Sequence, residues 1–224
     1  SKEKERSSVF ESRCKMSSER PGILLAVSSP SGAGKTTLCT RLRAEVPRLG
    51  FSVSYTTRAP RAGEVDGREY HFVSMERFDE MNYGGEFAES ARVHGNMYGT
   101  AIEQVESAVA HGHDLLFDID FQGAQQLASH EVFEQYMTRV FILPPSLREL
   151  EQRLRRRATD ADEVIERRLR MARMELAHYH EYEYVIVNDD IDSAYDALRA
   201  VYLSQLQRVS RQHGAARGLL LDGD

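Results

Sequence analysis

Lysine is nearly missing from the body of this chain: past residue 15 the only one is Lys35, and arginine supplies every other strong positive charge. A compact, flexible ammonium kept at a single place marks a position where a point charge must follow a moving group. Cysteine is equally scarce, with only Cys14 and Cys39, which argues against a disulfide framework and makes reduced thiols the expectation. No apolar run approaches the roughly 18 residues of a membrane span, and the N-terminus is charged and serine-rich without an apolar signal core. A soluble, cytoplasmic protein with no membrane partner is expected. The formal charge of −6 argues against broad binding to nucleic-acid backbones and leaves room for a local positive cleft. A histidine metal site is also missing. His111 with His113, and His178 with His180, stand two apart with no cysteine or carboxylate set to complete four ligands, so solvated surface is the expected place of all four.

With 224 residues, 41% hydrophobic and 29% charged, the chain is long enough for one globular core carrying inserts. Residues 1–20 are charged, serine-rich and aperiodic, and are expected to form a disordered arm with Met16 as a candidate start. Ile23–Val27, Phe51–Ser54, Leu115–Asp118, Val140–Leu143 and Val185–Val187 read as short strands. Helical stretches lie at Lys35–Glu45, Ile102–Ala110, Leu147–Arg157, Glu163–Tyr182 and Ile191 to about Ser210. Short apolar runs alternating with helices predict an α/β fold, a parallel sheet covered on both faces. Its core would span 21–53, 107–143 and 185–210. A small mixed insert at 54–106, with strands at 70–73, 87–93 and 97–100 around a helix at 75–82, and an arginine-rich helical pair at 144–184 would extend from it. Residues 211–224 are expected to fray.

The strand ending at Val27 runs into Ser29-Pro30-Ser31-Gly32-Ala33-Gly34-Lys35-Thr36-Thr37 and then into a helix. Strand, glycine-rich loop and helix N-terminus together aim backbone N–H groups at one anion, as in a phosphate-binding P-loop. Lys35 would bridge the β- and γ-phosphates of ATP, and the Thr36 hydroxyl would ligate Mg²⁺. Ser29 stands where the P-loop pattern begins with glycine. Asp118, closing an apolar strand, is the natural carboxylate for the metal through water. A glycine-rich turn with an exposed lysine is the plainer alternative.

Further along come Ser54-Tyr55-Thr56-Thr57-Arg58-Ala59-Pro60-Arg61-Ala62-Gly63-Glu64, then Gly67-Arg68-Glu69-Tyr70-His71-Phe72, Glu89, and His94-Gly95-Asn96-Met97-Tyr98-Gly99-Thr100. Asp118-Ile119-Asp120-Phe121-Gln122-Gly123 and Val185-Ile186-Val187-Asn188-Asp189-Asp190 follow. On these motifs, in this order over about residues 21–210, the chain resembles guanylate kinases. The resemblance implies a P-loop three-layer fold with a GMP-binding insert and a helical lid, and transfer of a phosphoryl group from ATP to GMP or dGMP with Mg²⁺. It assigns Ser54, Arg58, Arg61, Glu64, Tyr70, Glu89, Tyr98, Gly99, Thr100, Asp118 and Asp120 to GMP. Arg58 and Arg61, set by Pro60, would fork around the acceptor phosphate with the Ser54, Tyr70 and Tyr98 hydroxyls. Glu89 would accept from guanine N1–H and the 2-amino group, and Thr100 would meet O6. Adenine cannot donate from N1, so the same pocket would reject it.

Arg153 and Arg157 lie one helical turn apart. With Arg168, the resemblance makes them lid arginines that close on the triphosphate, acting with Lys35 and Arg58 in catalysis. Arg148, Arg155, Arg156, Arg167, Arg170 and Arg173 are expected to pair with Glu149, Glu151, Glu163, Glu166 and Glu175, and Asn188 to seat the adenine of ATP. Two alternatives stay open: an inactive module using the arginine pocket for phosphopeptides, and a kinase acting on a sugar phosphate. A monomer and a homodimer are equally compatible with the sequence.

Overall fold

The computed structural model describes residues 20–93, 95–157 and 162–221. Its centre is a five-stranded sheet ordered β2-β7-β1-β8-β9, with β1 Leu24–Ser28, β2 Leu49–Phe51, β7 Asp114–Asp118, β8 Met137–Leu143 and β9 Tyr184–Val187. All of its pairings are parallel, with Leu24 opposite both Leu115 and Met137. The β1 run is buried along its whole length, as an uninterrupted apolar segment must be when helices cover both faces.

Alternate residues divide between those faces. Leu24, Ala26, Leu115 and Phe117 pack under α3 (Ile102–Ala110) and α4 (Phe121–Ser129). Ile23, Leu25, Val27 and Leu116 pack under α1 (Lys35–Glu45) and α7 (Ile191–Leu206). The result is three layers, with the strand ends Ser28 and Asp118 emerging together at the carboxyl edge. At the opposite edge Asp114 is buried. It accepts hydrogen bonds from Arg20 at 2.8 and 2.7 Å, from the Ile23 amide at 2.8 Å and from the Tyr202 hydroxyl at 2.7 Å.

The insert has its own sheet, ordered β4-β3-β6-β5, from β3 Tyr55–Thr56, β4 His71–Phe72, β5 Phe87–Val93 and β6 Asn96–Ala101. Helix α2 (Met75–Tyr83) lies against it, capped by the Ser74 side chain, with Phe78 stacked on Phe87 at 4.6 Å. Two further helices, α5 (Leu147–Arg157) and α6 (Asp162–Leu176), share a small core of Leu150, Leu154 and Ala172.

Several sequence expectations are corrected here. The strand placed at 51–54 is instead β2 at Leu49–Phe51, including Gly50, because the β7 ladder holds those residues. Helix α4 follows the Asp120 cap and had no counterpart among the expected helices. The helix expected through Tyr182 ends at Leu176, followed by a short 3₁₀ turn at Tyr179–Glu181. The long final helix is two, α7 and α8 (Val209–Leu221), so residues 211–221 are helical rather than frayed. Arg211 anchors α8: it is 5% exposed and donates to the carbonyls of Gln205 and Tyr136. Arg20 is fixed on Asp114, whereas the rest of the proposed arm, with Cys14 and Met16, lies outside the described residues. His178 is not simply solvated. Its ring stacks on Phe121 at 3.9 Å and Nδ1 lies 2.6 Å from Glu181.

Candidate nucleotide site

The loop between β1 and α1 is shaped by two left-handed glycines, Gly32 (φ +92°) and Gly34 (φ +97°), with Ala33 N–H donating to Pro30 C=O at 3.1 Å. Gly34 is constrained by space as well as by angle. A Cβ there would lie 2.3 Å from Nδ2 of Asn188. That amide donates to the Ala33 carbonyl at 2.7 Å, and the Asn188 carbonyl accepts from Arg153 at 3.1 Å. Asn188 therefore braces the loop from the end of β9.

Lys35 opens α1, and its Nζ stands 2.6 Å from Asp118 Oδ1 and donates to the Ile119 carbonyl at 3.0 Å. Burial alone would lower the pKa of this ammonium. The adjacent Asp118 charge and hydrogen bond outweigh that effect and raise it, so Lys35 is a cation at neutral pH. Behind it, burial pushes the Cys39 thiol up to about 12, which keeps it unreactive.

Across from the loop, Glu89 on β5 is 4% exposed and accepts from Thr100 Oγ1 at 2.7 Å, with Ser54 Oγ 3.4 Å from that hydroxyl. Burial pushes the Glu89 carboxyl up to about 7, and nearby Asp120 acts in the same direction against the Thr100 bond. Gly123 admits this carboxylate, because a Cβ there would sit 2.7 Å from Glu89 Oε2. Asp120 caps α4 by accepting from Gly123 N–H at 2.9 Å. Arg58 donates from Nη2 to both oxygens of Glu64, at 2.8 and 2.9 Å, and lies 5.3 Å from the centre of the Tyr70 ring.

One cavity of about 330 Å³ takes its walls from both sides. The loop contributes Ser29, Pro30, Ser31, Gly32, Gly34, Lys35, Thr36 and Thr37. The insert contributes Ser54, Tyr70, Glu89 and Tyr98, and the sheet edge Asp118 and Asp120. Thr100 stands just behind Glu89. The other expected site residues lie elsewhere. Arg58 faces Glu64, so Glu64 is turned to an arginine rather than to the cavity. Arg61 is exposed and is engaged through its main chain, its N–H donating to the Glu64 carboxylate at 2.7 Å and its carbonyl accepting from the Glu64 N–H at 3.1 Å. Gly99 packs against Phe87. Arg153 pairs with Glu149 at 3.1 Å. Arg168 does not line the cavity, and the Arg157 side chain lies outside the described residues. Ala33 is buried in the loop's inner wall.

Glu175 corrects the sequence reading. Expected among the helix ion pairs, it lines the cavity instead, together with Lys35 and Asp120, and burial pushes its carboxyl up to about 7. The signal was available. Met171, Ala172, His178 and Tyr179 occupy the positions three and four away, so the helix gives Glu175 no arginine to pair with.

The Thr36 hydroxyl and the Asp118 carboxylate face the same space. Hard oxygen donors of this kind fit a Mg²⁺ held largely by phosphate and water. Among the described residues no group of three or more His, Cys, Asp or Glu could hold a metal alone, and none of the helices is long and apolar enough to cross a membrane.

A family model described as guanylate kinase matches residues 19–205. The guanylate kinase of Nitratidesulfovibrio vulgaris is 53% identical over 190 residues, covering 85% of this chain and 90% of its own. That of Rhizobium etli is 48% identical over 195 residues, covering 87% and 88%. The crystal structure of guanylate kinase from Anaplasma phagocytophilum superposes with a TM-score of 0.71 at 35% identity, covering 86% of this chain and 90% of that one.

Proposed function

The chain belongs to the guanylate kinase family, and from that premise we propose that it transfers the γ-phosphoryl group of ATP to GMP or dGMP, giving ADP and GDP. The observation that carries the residue assignment is the single cavity walled by the phosphate loop on one side and by Ser54, Tyr70, Glu89 and Tyr98 on the other. Donor and acceptor can meet there without crossing solvent.

In this reading a GMP phosphate oxygen forms a bond to the γ-phosphorus as the bond to the β–γ bridging oxygen breaks, and ADP leaves with that electron pair. A phosphate dianion is already a nucleophile, so the site needs no strong base. Lys35 neutralises charge on the transferring oxygens, and the loop N–H groups hold the β-phosphate. Arg58 and Arg61 hold the acceptor phosphate once Arg58 exchanges Glu64 for it. Arg153, Arg157 and Arg168 come down from the lid. Glu89 reads the guanine edge and Thr100 turns its hydroxyl to O6. Asn188 keeps the loop in shape while bordering the adenine side.

Thr36, and Asp118 through water, would hold Mg²⁺, which when bound would supply charge neutralisation at the phosphates. The site carboxylate Asp118 is already oriented by Lys35. We place the activity in purine nucleotide metabolism, in the cytoplasm. A coupled assay with ATP against GMP, dGMP, AMP, UMP and ribose phosphates tests the reading. Turnover is expected with GMP and dGMP alone, and equal rates with AMP would defeat the guanine assignment.

A further inference from the structure

Asp120 at the cap of α4, Gly123 and Gln126 follow one another at intervals of three, so they lie on successive turns and share one face. Strand β5 stands against that face. Gly123 receives the Glu89 carboxylate, and Asp120 is held by the Gly123 N–H at 2.9 Å and by Gln122 Nε2 at 3.0 Å. Gln126 meets the next residue of the strand. Its Oε1 accepts from the Ser90 N–H at 3.0 Å, and its Nε2 donates to the Ser90 C=O at 2.8 Å.

β5 is an outer strand of its sheet, so the Ser90 main-chain groups would otherwise be left to water. Gln126 supplies the donor and the acceptor that a neighbouring strand would. The ladder on the other side shows why this matters. The β5–β6 register slips just before the guanine-reading residue, with Phe87 opposite Ala101 but Glu89 opposite Thr100. A slip of this kind bends a strand and re-aims the side chains beside it, so a second hold on the free edge fixes what the β6 pairing leaves loose. Stability is a poor reason for such a clamp. Gln126 is exposed, and the rotamer freedom lost in fixing a glutamine is of the same order as what two solvent-exposed amide bonds contribute. Two bonds to one residue do fix its place and direction.

We propose that Gln126 is a positioning residue for guanine selection: by gripping Ser90 at both main-chain groups it sets β5 against α4, and so aims the adjacent Glu89 carboxylate at the base. Gln126 does not line the cavity, whereas Glu89 and Asp120 do, so it acts through the strand rather than on the substrate. The inference rests on the reading of Glu89 as the group that meets the guanine edge.

Steady-state kinetics of the full chain, with GMP and ATP varied in turn, tests it on wild type, Gln126→Ala, Gln126→Met, Glu89→Gln and the double variant Glu89→Gln/Gln126→Ala. Gln126→Ala is expected to raise the KM for GMP about fivefold, with kcat, the KM for ATP and the melting temperature close to wild type. Gln126→Met, which keeps the length of the side chain without its hydrogen bonds, is expected to match Gln126→Ala. In the Glu89→Gln background, Gln126→Ala is expected to add no further loss, because the carboxylate it aims is already gone. A merely structural role predicts a lowered melting temperature and a loss that multiplies in full onto that of Glu89→Gln. That result, or a wild-type KM for GMP in either Gln126 variant, overturns the proposal. A wild-type KM for GMP in Glu89→Gln would instead overturn the guanine assignment itself.

Discussion

The two halves of the cavity are built differently. The donor half is mostly main chain. It is a loop between a fully buried strand and the helix it feeds, curved by Gly32 and Gly34 and wedged by Asn188 from the far side of the sheet. Its main-chain geometry follows from the core, although its lysine, like the arginine opposite, is already paired, here with Asp118. The acceptor half is mostly side chain. It stands on a small sheet with a two-residue strand on each side of its parallel pairing, and its chief arginine is already satisfied, by Glu64. A ligand there must break one charge pair to make another. On the reading proposed above, rigid backbone would serve the part of the reaction common to all ATP chemistry, and exchangeable side chains would serve selection of the acceptor.

The contrast breaks most severely at Lys35. Lys35→Met is expected to lower kcat by on the order of 10³-fold, since it removes a fixed charge from the transferring oxygens, while GMP still binds by calorimetry. Loss of GMP binding would mean that the halves are not separable.

On the other side, Arg58→Met is expected to lower kcat/KM for GMP by on the order of 10²-fold and to leave the KM for ATP nearly unchanged. Steady-state kinetics with each substrate varied in turn would show it, and a comparable rise in the ATP KM would erase the distinction drawn here.

A smaller change sharpens the picture at Glu89. Its carboxyl sits at about 7 in the fold against 4.5 for the unperturbed group, so the folded state holds the proton more tightly than the unfolded one. Stability from this group is full below the unfolded pKa and falls as pH rises from 4.5 towards 7, by about 3 kcal/mol in all. Glu89→Gln is therefore expected to melt higher than wild type at pH 8 and to lose about tenfold in kcat/KM for GMP. In wild type the GMP KM should rise as pH falls through about 7, and the Gln variant, which lacks that titration, should show a weaker rise. Identical profiles in the two proteins would remove Glu89 from guanine binding.

Much of this was legible before any coordinates. β1 and α1 are opposite extremes of pattern, one continuously apolar and one opened by Gly-Lys-Thr, and both stand where expected. The insert strands Phe87–Val93 and the helices Ile102–Ala110 and Leu147–Arg157 fall on their expected bounds. What escaped depends on contacts distant in sequence. Helix α4 carries Gly123 in its first turn, a helix-weakening residue whose reason is the Glu89 carboxylate pressing on it from β5. Helix α8 is held by Arg211 on the Gln205 carbonyl at the end of α7 and on the Tyr136 carbonyl 75 residues away, which no local periodicity announces. Arg58 and Glu64 were both assigned to the ligand, yet in its absence they satisfy each other, because a half-buried guanidinium finds the nearest carboxylate.

The Leu150 and Leu154 side chains that pack with Ala172 also lie against Gly32 of the phosphate loop, and that contact has a thermal consequence. Lifting α5 from the loop would wet hydrocarbon, a process that carries a positive heat capacity change and becomes easier on cooling. That apolar contribution to holding α5 on the loop therefore weakens on cooling and strengthens with moderate warmth.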